Sequence, residues 1–264
     1  MSDGPAGIRL ARDYYEDKKG AHSLGSAMLP TMIDLLPAPA RAAMTRPKKL
    51  PKGVEIKHRY ATAIPIGTAI AQSFSLSLAE SCGDIVGDEM ERFGIHLWLA
   101  PALNIHRSIL CGRNFEYFSE DPLVSGLTAA AITRGVQKHP GRGVTIKHFA
   151  ANNQETNRNG VDSVVGQRAL REIYLRGFEI AVKEGNPVSI MTSYNLINGI
   201  HAANSKDLCM TVARKEWGFD GVIMSDWNTT VPEDGSIPWK CVTAGNDIIM
   251  PGNAADAENI RKAF

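Results

Sequence analysis

Asp226 ends an apolar run, Val222-Ile223-Met224-Ser225, and Trp227 follows it directly. A buried strand that delivers one carboxylate at its C-terminal tip has the layout of a barrel enzyme's active site. The competing reading of such an aspartate is a turn residue or helix cap. Asp226 is therefore a candidate nucleophile or base. Lys147 and His148 follow a second short apolar run, Val144-Thr145-Ile146. As hydroxyl-binding donors beside a carboxylate, they suit a neutral, polyhydroxylated ligand. Arg113 and Asp3 offer a charged donor and an acceptor that can grip vicinal hydroxyls from two sides, and Trp227 offers an apolar face for a ring to stack on. Each also has a structural reading. A lone histidine is commonly a packed core residue, and Arg113 with Glu116 or Glu120 makes an internal ion pair that braces its loop.

The elements that must position these groups alternate between strand and helix. Strand-like runs are expected at Ala61–Ile66, Ile95–Ala100, Val144–Ile146, Val188–Met191, Val222–Ser225 and Asp247–Met250. Between them, helical spacing marks Ser77 to Phe93, with Ser77 and Glu80 as a capping box and Leu78, Ala79, Cys82, Val86 and Met90 on the apolar face. Further helices are expected from about Ser125 to Lys138, over Leu170–Ala181, and from Asn204 or Ser205 to Gly218. Such alternation implies a parallel sheet. His106, Arg113, Lys147, His148, Tyr194 and Asp226 all come just after strands, never just before them. That polarity is expected of a (β/α)8 TIM-type barrel, whose site lies at the C-terminal face. A doubly wound sheet would instead carry a Gly-rich phosphate turn, and none follows any strand here. About six strands are visible, fewer than the closed barrel needs.

At 264 residues the chain can bury a full core. An apolar content of 44%, a charged content of 22% and a net charge of +1 describe an ordinary globular protein with no global field for nucleic acid or anionic membrane. No apolar run approaches the ~20 residues of a membrane helix. Met1-Ser2-Asp3-Gly4-Pro5 lacks the pattern of a secretory signal, and Cys82, Cys111, Cys209 and Cys241 share no metal-ligand spacing. Reduced thiols and a cytoplasmic location are expected, with no metal and no cofactor. The stretch 11–60 reads as polar and irregular, with Arg41, Arg46, Lys48, Lys49, Lys52, Lys57 and Arg59 opposed only by Glu55. It is expected to be a solvated loop or insertion, since no aromatic platform is interleaved for nucleic acid. A chain that opens on the turn Asp3-Gly4-Pro5 is expected to lack an N-terminal piece of its own fold.

Four long motifs go beyond a class. Gly112-Arg113-Asn114-Phe115-Glu116-Tyr117-Phe118-Ser119-Glu120-Asp121-Pro122, Lys147-His148-Phe149-Ala150-Ala151-Asn152-Asn153-Gln154-Glu155-Thr156-Asn157-Arg158, Met191-Thr192-Ser193-Tyr194-Asn195 and Gly218 to Trp227 occur in this order. Together they resemble glycoside hydrolase family 3, and within it the bacterial β-glucosidases, over residues 1–10 and about 60–252. The resemblance implies a barrel domain spanning 1–264, with an insertion at about 11–60. It implies hydrolysis of terminal β-D-glucosyl residues from a β-glucoside or short β-glucan by a retaining mechanism, with Asp226 as nucleophile. It places Asp3, Arg9, Arg113, Lys147, His148 and Arg158 on the sugar. Tyr194 stands beside the nucleophile, Met191 lines its pocket, and Trp227 marks the boundary with the leaving group. A retaining glycosidase needs one ionised carboxylate and a protonated one about 5–5.5 Å away. Lys147 and Arg158 are expected to keep Asp226 ionised.

The second carboxylate is not evident. In most of the family the acid/base glutamate lies on a separate α/β sandwich domain, which is absent from this chain. The branch acting on N-acetylglucosaminides uses an Asp-His pair instead, but Asp162-Ser163-Val164 has no histidine. Glu116, Glu120 and Glu155 look structural within their motifs. The rival class is a non-catalytic carbohydrate-binding or vestigial barrel fragment. A phosphate- or nucleotide-binding protein is disfavoured for want of an anion loop.

Overall fold

A computed structural model describes residues 1–25, 38–45 and 50–264. Four parallel strands form its central sheet: β1 (Leu97–Trp98), β2 (Gly143–Phe149), β3 (Ser189–Thr192) and β4 (Val222–Ser225). Leu97 pairs with Gly143, Thr145 with Ser189, and Val222 with Ser189. A parallel bridge from Ser2 to Trp98 extends the sheet at one edge, and one from Met224 to Ile248 extends it at the other. Spatial neighbours thus follow chain order throughout, as in a singly wound barrel. The arc does not close among the described residues. The fold is α/β with a barrel-like parallel sheet.

Helices α1 (Leu76–Arg92), α2 (Pro122–Gln137) and α3 (Arg176–Gly185) cover the outside. α1 and α2 approach closely because glycines meet there. A Cβ on Gly83 would lie 2.2 Å from the Ile132 carbonyl oxygen, and one on Gly135 would lie 2.1 Å from that of Glu80. α4 (Pro238–Ala244) and α5 (Ala254–Ala263) end the chain, the latter opened by a capping box of Asn253 and Asp256.

The period of two along each strand sorts the side chains. Trp98, Val144, Ile146, Ile190 and Ile223 face outward into the main core, with Met90, Ile132 and Phe178. Leu99, Met191, Met224 and Met250 form a separate inner cluster. Apolar residues on both faces explain why these strands read as continuous apolar runs.

Several expectations change. Ser75 rather than Ser77 caps α1, its side chain accepting from the Leu78 N–H at 3.2 Å. Leu78 is consequently exposed rather than on the buried face. Residues 61–66 form no strand, although Ile64 is buried. The segment 247–250 makes only the one bridge at Ile248. Among the described residues of 11–60, where an irregular stretch was expected, Gly20–Ser23, Asp13–Asp17 and Lys57–His58 make an antiparallel sheet in that order. Two of its cations are partnered there, Lys57 on Glu16 and Arg59 donating to the Ala11 carbonyl and Ser23 hydroxyl. Arg46, Lys48 and Lys49 lie outside the described residues.

Candidate active site

The strand ends converge on Asp226, which is 5% exposed. Its Oδ1 accepts the Trp227 N–H at 2.7 Å, while Oδ2 is buried without a hydrogen-bond partner. His148 Nε2 stands 3.7 Å from that oxygen, beyond hydrogen-bond range. Burial pushes the Asp226 carboxyl above the usual carboxylate range, against the opposing pull of Arg113, Lys147, the Trp227 N–H and Arg158. This reverses the expected direction. Counting nearby cations predicts easier ionisation, but desolvation of a fully enclosed carboxylate outweighs them. Burial also holds the His148 pKa well below its ordinary value, helped by Arg113, Lys147 and Arg158. His148 is therefore a neutral imidazole, and its Nδ1 too is buried without a partner.

Consecutive residues of a regular strand point to opposite faces, so Lys147 and His148 need a local irregularity to share a pocket. The β2–β3 register supplies it. Ile146 pairs with Ile190 but Phe149 with Thr192, so three steps on one strand match two on the other. This bulge sits at Lys147-His148 and re-aims both side chains. Asn104 holds the result in place: its Oδ1 accepts the His148 N–H and its Nδ2 donates to the His148 carbonyl, both at 2.9 Å. Sequence reasoning missed Asn104, although a lone amide between Leu103 and Ile105 was a signal.

Around this centre lie the cations, each with its own carboxylate. Lys147 Nζ donates to Asp3 Oδ1 at 2.9 Å. Arg113 Nε donates to Glu116 Oε1 at 2.5 Å, and Arg158 Nη1 donates to Glu155 Oε2 at 2.8 Å. The expected Arg113–Glu116 brace is thus present. Glu155 also lies 4.0 Å from Arg113, linking the loops after β1 and β2. Burial raises the Asp3 pKa, but Lys147, the Gly4 N–H and Arg9 outweigh it, and the carboxyl is held below its ordinary value. The turn bearing Asp3 requires glycine: Gly4 has φ +138°, and a Cβ there would lie 2.0 Å from the Gly7 carbonyl oxygen. The Asp3 carbonyl accepts the Arg9 N–H at 2.8 Å, which closes the turn.

Tyr194 donates its hydroxyl to the Trp227 carbonyl at 2.7 Å, and the Arg158 guanidinium carbon lies 4.4 Å from its ring centroid. Burial, then the charge of Asp226, raises the Tyr194 pKa, so the phenol stays protonated. Trp227 is partly exposed at the mouth, and Met191 belongs to the inner apolar cluster beneath. Asp3, Arg113, Lys147, His148, Arg158, Tyr194, Trp227 and Asp226 are thereby connected through direct contacts or close charges. Arg9 reaches them through Asp3. Glu116 and Glu155 are committed to arginines, and Glu120 is exposed on the same loop. A groove lined by Arg107, Leu110, Gly112, Asn153, Glu155 and Asp162 opens beside this cluster, on the same loops. Among the described residues, no group of three or more His, Cys, Asp or Glu side chains is placed to hold a metal ion. No helix among them is long and apolar enough to cross a membrane.

Residues 6–262 match the family described as "Glycosyl hydrolase family 3 N terminal domain". The chain is 48% identical over 204 residues to a β-glucosidase of Ruminococcus albus, covering 75% of this chain and 21% of that protein. It is 47% identical over 189 residues to β-glucosidase A of Butyrivibrio fibrisolvens, covering 72% and 22%. Among solved structures, β-glucosidase 3B from Thermotoga neapolitana in complex with α-D-glucose superposes with a TM-score of 0.78. That structure is 40% identical, and the match covers 99% of this chain and 31% of that one. The chain thus spans about a fifth of the length of these curated relatives.

Proposed function

This chain belongs to glycosyl hydrolase family 3, and on that premise we propose that it carries the nucleophile and the sugar-binding residues of a β-glucosidase. The reaction is hydrolysis of terminal non-reducing β-D-glucosyl residues from a β-glucoside or short β-glucan, with retention at the anomeric carbon. The observation that carries this reading is the Asp226 carboxyl, buried at the tip of β4 with one oxygen anchored by the Trp227 N–H and the other unpartnered. The anchored oxygen fixes the carboxylate plane. The free oxygen attacks the anomeric carbon and forms a glycosyl ester, and water later cleaves it.

Each neighbour has a task in that sequence. Neutral His148 donates a hydrogen bond to a sugar hydroxyl without adding charge near the developing oxocarbenium ion. Lys147, Asp3, Arg113 and Arg158 hold hydroxyls around the ring, and paired side chains hold them in place before the sugar arrives. Trp227 offers its face where the leaving group departs. Protonation of that leaving group falls to a carboxylic acid outside these residues, because Glu116 and Glu155 are both tied to arginines. A separate domain, such as the α/β sandwich expected from the family resemblance, is the proposed source.

The same commitment of the two glutamates favours a second reading, in which the 264-residue chain alone binds sugar without turning it over. An aryl β-glucoside with a good leaving group separates the two, since it needs little acid assistance. Phenol release that falls by about 10³-fold or more in Asp226→Ala supports the nucleophile. Glucose binding with no phenol release supports the binding reading.

A further inference from the structure

Three cations stand around a pocket that the proposed function gives to a neutral sugar, and a site of that kind is ordinarily built for an anion. The pairing noted above resolves this. Lys147–Asp3, Arg113–Glu116 and Arg158–Glu155 are contacts of 2.9, 2.5 and 2.8 Å, so each cation has a carboxylate of its own. With His148 neutral, Asp226 is then the one charge of this set left without a counter-ion. Counting Arg9, whose charge also acts on Asp3, four cations stand with four carboxylates, Asp3, Glu116, Glu155 and Asp226, so the pocket carries no excess positive charge.

Glu155 occupies the pivotal place in this balance. Its Oε2 takes Arg158, while its Oε1 lies 4.0 Å from Arg113 and accepts the Asn152 amide at 3.3 Å. Asn152 in turn donates to the Tyr117 hydroxyl at 3.1 Å, and Tyr117 is fully buried. One carboxylate thereby fixes two arginines that arrive on different loops, and buried groups on both loops fix the carboxylate. Glu116 serves Arg113 alone. Removing the Glu155 charge would leave Arg158 without its partner and Arg113 with half of its own.

We propose that Glu155 is a positioning and specificity-determining residue that cancels the charge of Arg113 and Arg158, so that the pocket accepts neutral hexoses and rejects sugars bearing an anionic group. This inference rests on the sugar-site reading above. It goes beyond it by assigning selectivity against uronic acids to a side chain that binds no sugar itself. The physical ground is that a charge in a partly buried pocket interacts across several ångströms, whereas a hydroxyl contact is felt only at hydrogen-bond distance.

The test is the ratio of the D-glucuronate to the D-glucose dissociation constant, measured by calorimetry on the 264-residue chain. In the unaltered chain glucuronate binds more weakly. Glu155→Gln narrows the ratio by about tenfold, because one uncancelled positive charge attracts the anion. Arg158→Gln leaves Glu155 uncancelled and widens the ratio, an opposite change that general loosening of the loop does not produce. Glu155→Asp, which keeps the charge, keeps most of the discrimination. A ratio unchanged in both Glu155→Gln and Arg158→Gln, with glucose still bound, overturns the inference and leaves the sugar site intact. Failure of the unaltered chain to bind glucose overturns the sugar-site reading itself, and this inference with it. Should Glu155→Gln not fold, the widening in Arg158→Gln decides alone.

Discussion

Asp3 and Asp226 are carboxylates of one pocket, and their surroundings move them in opposite directions. At the rim, Asp3 is held below its ordinary pKa by Lys147, and the other rim charges are paired in the same manner. At the centre, Asp226 is pushed up by burial, one of its oxygens has no partner, and the facing imidazole is neutral. The rim is satisfied and the centre is not. Groups left unsatisfied inside a folded protein lower its stability, and they persist where a substrate is meant to complete them. The pocket thus divides its labour: paired charges hold the shape, and the unpaired carboxylate keeps its chemistry available.

Removing a rim partner should have the largest effect on stability. The Arg113 and Glu116 side chains are 17% and 5% exposed, so Glu116→Ala leaves a largely buried guanidinium with only Glu155, 4.0 Å away. A loss of about 3–5 kcal/mol is expected, readable in urea denaturation. A loss below about 1 kcal/mol, as for an exposed pair, would break the contrast.

The centre should respond with the opposite sign. Folding raises the Asp226 pKa, so its ionised form is penalised in the folded state. That penalty is complete above the folded pKa and absent below the unfolded one. Asp226→Asn should therefore stabilise the chain at neutral pH by about 1–3 kcal/mol, the usual worth of an unsatisfied buried group. The gain should fade as the pH falls through the raised pKa into the ordinary carboxylate range. Paired melts of the two proteins across pH check this, and a destabilised Asn variant at neutral pH would contradict it. Activity should show the same shift, its acidic limb lying above the usual aspartate range.

Tyr194 links the two regions, and its removal should matter least to stability. Tyr194→Phe loses the 2.7 Å bond to the Trp227 carbonyl. The expected cost is about 0.5–1.5 kcal/mol. It should also lower kcat more than it raises KM, because Trp227 supports Asp226 through its N–H. A change confined to KM would mean that the tyrosine acts on sugar binding alone.

The contrast between rim and centre was only partly legible in the sequence. Asp226 could be read because an apolar run stops on it, and Arg113–Glu116 because acids crowd the arginine within one polar loop. The partner of Asn104, the bulge at Lys147-His148 and the dual contact of Glu155 could not. Each depends on how one loop or strand lies against another, and no local pattern carries that. The pKa direction at Asp226 failed for a related reason: composition counts charges, whereas desolvation depends on enclosure. At 13–23 the charged hairpin, and at 57–58 the short strand beside it, lack the alternation that marks a half-buried strand, so their antiparallel sheet left no periodic signal. The sheet arc itself was readable, since the outward Ile146, Ile190 and Ile223 and the inward Met191 and Met224 make its runs apolar on both faces.

The central claim is that the unpartnered oxygen of Asp226 attacks the anomeric carbon. An activated aryl β-glucoside, with fluorine replacing the hydroxyl next to that carbon, tests it most directly, because the fluorine slows both oxocarbenium-like steps while the good leaving group restores only formation of the glycosyl ester, which then accumulates. Peptide mass spectrometry after incubation should find one fluoroglucosyl group, carried by Asp226, and none in the Asp226→Asn protein. A sugar adduct on Glu116, Glu155 or any other residue, with Asp226 unmodified, would contradict the account.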